Sequence, residues 1–180
     1  MNKKSIYKYA SECGVPVGIY LTIMSMCLLM SVRVPLLASL LFPLAIIFPF
    51  YLGYFIKRIG KKESSYMKFS SLWLGGIYTV IFGTLICMFF SALYIVYVEP
   101  GFVQAYCLSI IDNISASPVA DEYKGQMELL KDAMEARLLP SGLDFVTSMG
   151  WFTAFAGSII SLVIAAIVSR TSKKITKAVS

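Results

Sequence analysis

Four long apolar stretches constrain the fold of this chain more than any other feature of its sequence. They run over residues 13–32, 34–56, 69–98 and 145–168, and every charged side chain lies outside them. A helix rises about 1.5 Å per residue, so each stretch is long enough to cross a hydrocarbon core of about 30 Å. Hydrophobic residues make up 58% of the chain, above the roughly 45–50% that is usual in soluble domains. We therefore predict an all-α integral membrane four-helix bundle.

The segments between the stretches predict how the chain is oriented. The N-terminus (residues 1–12), the loop at 57–68 and the tail at 169–180 carry twelve of the sixteen Lys and Arg residues. Because short basic segments stay in the cytoplasm, we expect a multi-pass protein of the cell inner membrane with both termini cytoplasmic. The first apolar stretch is longer than the apolar core of a signal peptide, so we expect it to remain as a span.

Residues 99–144 differ in character from the rest of the chain. They carry eight acidic and three basic side chains, a net charge of −5, and we predict that they form an extracytoplasmic two-helix insertion between the third and fourth spans. The second of these helices has one apolar stripe, made of Val119, Tyr123, Met127, Leu130, Met134 and Leu138. A unit this small cannot bury a core alone. We favour packing of the stripe within the same chain, and the alternatives are the membrane surface and a partner protein.

Small residues recur at helical spacing in two spans and predict close packing between helices. The stripe in the third span consists of Gly75, Thr79 and Gly83, and the stripe in the fourth span consists of Gly150, Ala154, Ser158, Ser161 and Ala165. We expect the two stripes to face each other, and the alternative is that one of them forms a homodimer. Pro43 and Pro49 lie inside the second span and should bend it, because each proline removes a backbone hydrogen bond.

The residue inventory argues against several chemistries. Histidine is absent, and Cys13, Cys27, Cys87 and Cys107 are not clustered in the sequence. No charged residue lies deep in a predicted span, which weighs against a proton-coupled pump or a carrier of charged substrates. The basic residues are not interleaved with aromatic residues, as they are in many nucleic-acid-binding proteins. We therefore predict no catalytic residue, cofactor, metal site or nucleic-acid partner.

Three carboxylates share one face of the second helix predicted within residues 99–144. They belong to Glu128, Asp132 and Glu135, and carboxylate oxygens are the ligands that hard cations prefer. Lys124 and Lys131 lie at helical spacing from Glu128 and Glu135, so we favour a solvated face of ion pairs over a cation site.

Motifs along most of the chain resemble those of a known family. They are the opening helix with Gly14 and Gly18, the segment 67–73 at the start of the third span, the segment 97–102 after it, and the segment 157–168 before the basic tail. The pattern resembles a family of small bacterial inner-membrane proteins that is classed as a domain of unknown function and is best represented in the Bacteroidetes. The resemblance implies four helices and a bacterial envelope location, and it implies no activity.

These observations lead to one favoured function and two alternatives. We expect a non-enzymatic structural, assembly or interaction component of the cell envelope, in contact with the lipid bilayer and with another membrane protein or a second copy of itself. The first alternative is an oligomeric channel or carrier for an uncharged or lipid-like solute, built around the bent second span. The other is an enzyme acting on lipid, which would require the acidic residues of 99–144 to converge on a pocket.

Overall fold

The computed structural model describes residues 3–62, 69–117, 123–136 and 138–179. Within these ranges the chain is all-helical, without a strand. The helices are α1 (Lys3–Met30), α2 (Leu36–Lys62), α3 (Phe69–Tyr97), α4 (Phe102–Ser115), α5 (Lys124–Glu135) and α6 (Gly142–Val179). The predicted fold class is confirmed: α1, α2, α3 and α6 are long and apolar enough to cross a membrane, and α4 and α5 lie between the third and fourth of these helices.

The start of α6 follows from the residues that precede it. Pro140 cannot donate a backbone hydrogen bond and ends the segment after α5. The Asp144 amide N–H donates to the Ser141 hydroxyl oxygen at 3.2 Å, and the Ser141 amide N–H donates to the Asp144 carboxylate at 3.2 Å. This reciprocal pair resembles a capping box, which satisfies amide groups that the first helical turn leaves unpaired.

The core is divided into two clusters along the bundle. The first contains residues of all four long helices, including Val17, Leu52, Val80 and Ala165. The second lies at the end that carries α4 and combines Leu29, Ile95, Phe102 and Val146. The buried residues that α2 contributes lie between Phe48 and Ile59 and all belong to the first cluster; α2 contributes none to the second.

The side chains of α2 differ widely in exposure. Leu36 is 75% exposed and Phe42 is 74% exposed, whereas Leu52 is fully buried. Pro43 and Pro49 lie within α2, before and after the buried Phe48. The predicted bend at these prolines remains a prediction.

α1 and α3 approach each other closely enough for backbone contact. A Cβ atom placed on Gly83 would lie 3.0 Å from the Gly18 amide nitrogen and 3.3 Å from the Val17 carbonyl carbon. Further along the same interface the buried hydroxyl groups of Ser25 and Ser91 form a hydrogen bond of 2.7 Å. Small residues therefore bring these two helices into contact, as they commonly do in membrane proteins.

The expectation that the two small-residue stripes face each other is wrong. The Thr79 hydroxyl lies 3.4 Å from the Ala10 carbonyl oxygen, so this stripe of α3 faces α1, as Gly83 also does. The side of α3 that meets α6 contains Gly76 instead, where an added Cβ atom would lie 2.9 Å from the Ser161 Cβ atom. Adjacent residues point about 100° apart around a helix, and α3 has small residues on both sides.

Candidate functional site

A charged pair ties two connecting segments together at the end of the bundle that carries α4. Arg33, between α1 and α2, donates from its Nε atom to a Glu99 carboxylate oxygen at 2.9 Å. The Tyr94 hydroxyl donates to the other carboxylate oxygen at 3.1 Å. Glu99 is 9% exposed, and a charge this buried requires such partners. The pair fixes the position from which α4 starts.

α4 is anchored to the bundle by its first residues. Phe102 is completely buried, stacks on Tyr106 with ring centroids 5.7 Å apart, and contacts the Phe145 ring of α6 at 5.5 Å. Cys107 and Ile111, on the same side of α4, are also buried. Burial raises the pKa of the Cys107 thiol above its ordinary value. The N-terminal part of α4, from Phe102 to Tyr106, thus belongs to the second core cluster.

α5 is held much less firmly, since none of its residues is buried. Met127, Leu130 and Met134 of the predicted stripe are half-buried, and the Ser115 hydroxyl of α4 lies 3.5 Å from the Met127 sulfur. Tyr123 is 37% exposed and Leu138 is 76% exposed. Val119 lies outside the described residues. The stripe therefore lies toward α4 without forming a closed core.

The opposite side of α5 is acidic and carries one exposed leucine. Leu129 is 70% exposed, and Glu128, Asp132 and Glu135 are also exposed. Across the described ranges these three carboxylates form no ion pair, and no three His, Cys, Asp or Glu side chains come together as a metal site. The expected pairing with Lys131 does not form, because an exposed pair gains little over two hydrated charges.

A cavity separates the C-terminal end of α5 from the bundle. It has a volume of about 430 Å³ and is lined by Pro100, Gly101, Val103, Gln104, Met134, Leu139, Pro140, Ser141 and Gly142. These residues come from the start of α4, the end of α5 and the start of α6. The start of α4, the end of α5 and the start of α6 therefore leave open space between them.

A larger and almost wholly apolar groove lies between α3 and α6. It has a volume of about 620 Å³ and is lined by Ile81, Thr84, Leu85, Met88, Thr147, Gly150, Trp151, Ala154, Phe155 and Ser158. The Met88 side chain occupies the space beside Gly150 that the side chain of a larger residue would fill. Three of the five small residues predicted on the fourth span, Gly150, Ala154 and Ser158, therefore line this groove, and Ser161 and Ala165 are buried deeper in the bundle.

Comparison with known proteins identifies the family. The family model described as "Protein of unknown function (DUF4199)" matches residues 12–170. The chain belongs to this family. The matched region contains α2 to α5 completely and most of α1 and α6, and the resemblance found in the sequence motifs to a domain-of-unknown-function family is confirmed. No curated protein and no solved structure matches the chain.

Two features of this DUF4199 member did not emerge from its sequence. Arg33 and Glu99 are 66 residues apart, and each looks like an ordinary charge at the edge of a span. The only indication of this ion pair in the sequence was that both residues lie in segments expected on the same side of the membrane. The hydroxyl group of Thr84 is the other feature, since it is buried without a hydrogen-bond partner among the described residues.

Proposed function

We propose that this DUF4199 protein is a non-enzymatic component of the bacterial inner membrane that binds a partner protein through α5. The observation that carries the proposal is the exposure of Leu129 on a helix without a buried residue. A side chain of this size gains about 1.5–3 kcal/mol when it is fully buried. Binding by a partner would supply the burial that the chain itself does not provide.

The charge around Leu129 indicates the chemistry of the partner. Glu128 and Asp132 flank it within one turn and are exposed, and residues 99–144 carry a net charge of −5. An anionic lipid surface would repel this face. The complementary surface is therefore a protein with an apolar pocket that is surrounded by Lys or Arg side chains.

The proposal places the partner outside the cytoplasm. The basic segments near both termini and between α2 and α3 support cytoplasmic positions for those regions, and α4 and α5 connect the other ends of α3 and α6. A cysteine introduced at Gln126 in intact cells is expected to react with a membrane-impermeant maleimide. Protection of that cysteine, together with labelling of the C-terminal tail, would reverse the orientation.

The position of the carboxylates supports binding over catalysis. Glu128, Asp132 and Glu135 are exposed side chains on one helix, and Glu99 is engaged by Arg33 and Tyr94. An acid that acts on a lipid ester must be held within hydrogen-bond reach of the reacting group. In the described ranges, the three α5 carboxylates do not line the cavity beneath that helix.

Photocrosslinking in intact cells tests the proposal. A photoreactive residue at Leu129 is expected to capture one specific protein, and the same residue at Asn113 on α4 is the positional control. Changing Glu128 and Asp132 to Lys should reduce the yield several-fold, whereas Asp112→Lys, which changes the charge on α4 instead, should leave it unaltered. Recovery of isolated monomers only, or a yield that is insensitive to the α5 charges, would contradict the proposal.

A further inference from the structure

The α3–α6 groove has the composition of a site for an apolar ligand. Its volume of about 620 Å³ lies within the roughly 300–1,000 Å³ that is typical of small-molecule pockets. The walls are formed by large side chains such as Leu85 and Phe155, and charged residues are absent from its lining. Such sites usually combine an apolar lining with a few polar groups that orient the ligand.

Thr84 contributes a hydroxyl-bearing side chain to the lining of this groove. The other four threonines with described side chains donate their hydroxyl hydrogen to the carbonyl oxygen four residues earlier; they are Thr22, Thr79, Thr147 and Thr153. Thr84 is 4% exposed, lines the groove, and has no hydrogen-bond partner within the described ranges. A buried hydroxyl group without a partner is destabilising. An acceptor on a bound molecule would remove that cost.

The position of the groove fits a molecule dissolved in the bilayer. Along α6 the groove extends from Thr147 to Ser158, which is about 17 Å at the helical rise of 1.5 Å per residue. One leaflet of the hydrocarbon core is about 15 Å thick. Thr84 lies near the middle of the 29-residue helix α3, so its hydroxyl group is close to the bilayer midplane.

We propose that this groove binds one uncharged lipid that carries a hydrogen-bond acceptor, such as a carbonyl oxygen, and places that oxygen beside Thr84. The apolar body of the lipid lies along Leu85, Ala154 and Phe155. A second copy of the chain is a poorer occupant, because Trp151 and Phe155 are 74% and 68% exposed and would hold another helix away from the small residues. The inference is independent of the partner proposed for α5.

Tryptophan fluorescence offers a direct test, since the chain has two tryptophans and only Trp151 lines the groove. In a Trp73→Phe background, Trp151 becomes the single reporter. The protein is reconstituted in vesicles of saturated phosphatidylcholine and titrated with a short-tailed benzoquinone, which quenches indole and carries carbonyl acceptors. We expect a saturable component of quenching in addition to the linear collisional one.

Three variants assign that component to the groove. Thr84→Val keeps the shape of the side chain and removes the donor, so the apparent Kd should rise about fivefold, as the loss of one hydrogen bond of about 1 kcal/mol predicts. Ala154→Phe fills the groove and should abolish saturation. Ile159→Phe adds the same ring at an exposed position of α6 that does not line the groove, and it should leave the titration unchanged.

Three results would overturn the proposal. The first is identical quenching in all four proteins, which would mean that the quinone has no site at this position. The second is saturable quenching by a phosphatidylcholine with brominated chains that Thr84→Val does not weaken, which would assign the groove to a plain acyl chain. The third is efficient disulfide formation between Ser158→Cys protomers in membranes, which would assign it to a second copy.

Discussion

The two sides of α3 use the same small residues and reach different results. On the side of α1, a Cβ atom added to Gly83 would lie 3.0 Å from the Gly18 amide nitrogen, so the two helices are in direct contact. On the side of α6, the notch at Gly150 receives the Met88 side chain, and a groove of about 620 Å³ lies beside it. The Gly83 contact is therefore between two backbones, whereas the Gly150 contact is with a flexible side chain and has open space beside it.

The polar groups follow the same division. On the α1 side, Ser25 and Ser91 satisfy each other at 2.7 Å. On the α6 side, the hydroxyl groups of Thr84 and Ser161 are buried without partners among the described residues. Buried polar groups are normally paired; Ser25 and Ser91 follow this rule, and the hydroxyl groups of Thr84 and Ser161 do not.

The largest effect is expected from replacing Gly83 with a residue that has a large side chain. Gly83→Leu places a side chain against the backbone of α1, which cannot move aside, and should lower the free energy of unfolding by about 2–3 kcal/mol. Titration of detergent-solubilised protein with sodium dodecyl sulfate, followed by circular dichroism, measures the change. Gly125→Leu is the matched control, because nothing lies within 4 Å of that position. A loss at position 83 no larger than at position 125 would contradict the close contact.

An intermediate effect is expected from Gly157→Ala on the α6 side. The added Cβ atom would lie 2.6 Å from a Val80 methyl group, and β-branched valine has few rotamers with which to avoid it. We expect a loss of about 1–2 kcal/mol in the same titration. Gly150→Ala should cost less, since the flexible Met88 side chain can adopt another rotamer. Equal losses at the two positions would remove the distinction between stiff and flexible neighbours.

A smaller effect is expected from the serine pair. Ser25→Ala and Ser91→Ala, measured singly and together, form a double-mutant cycle, and the coupling energy should be about 1 kcal/mol. The cycle Thr84→Val with Ser91→Ala is the control, since no hydrogen bond joins those two described residues. A coupling energy near zero for Ser25 and Ser91 would show that the α1 interface depends on packing alone.

The smallest effect concerns Cys107 and extends the comparison to α4 and α5. Burial raises the pKa of this thiol, and the thiolate is the reactive form. The alkylation rate of Cys107 should therefore reach its half-maximal value at a higher pH than the rate of a cysteine placed at exposed Gln126. Mass spectrometry of protein treated with iodoacetamide over a pH series measures both. Faster reaction of Cys107 at neutral pH would contradict its burial against the bundle.

Much of the architecture was accessible from the sequence. Uncharged stretches of at least twenty residues can hardly be anything other than membrane spans, and the apolar stripe of α5 has a helical period. The sequence predicted small-residue contacts and assigned the stripe of the third span, Gly75, Thr79 and Gly83, to the wrong partner helix. Gly75 and Gly76 are adjacent and point in different directions, and spacing alone does not state which of them faces α6.

The sequence by itself determined the number of long helices, the two short helices between the third and fourth, and the segregation of charge. These properties depend on local hydropathy and helical periodicity, which short stretches of the sequence determine without contacts to distant parts of the chain. Only the tertiary structure decided which residues of α3 face α1 and which face α6, that Arg33 reaches Glu99, and that Thr84 lacks a partner among the described residues. Each of these depends on the distance between residues far apart in the chain, and that distance is set by how the side chains of whole helices fit together.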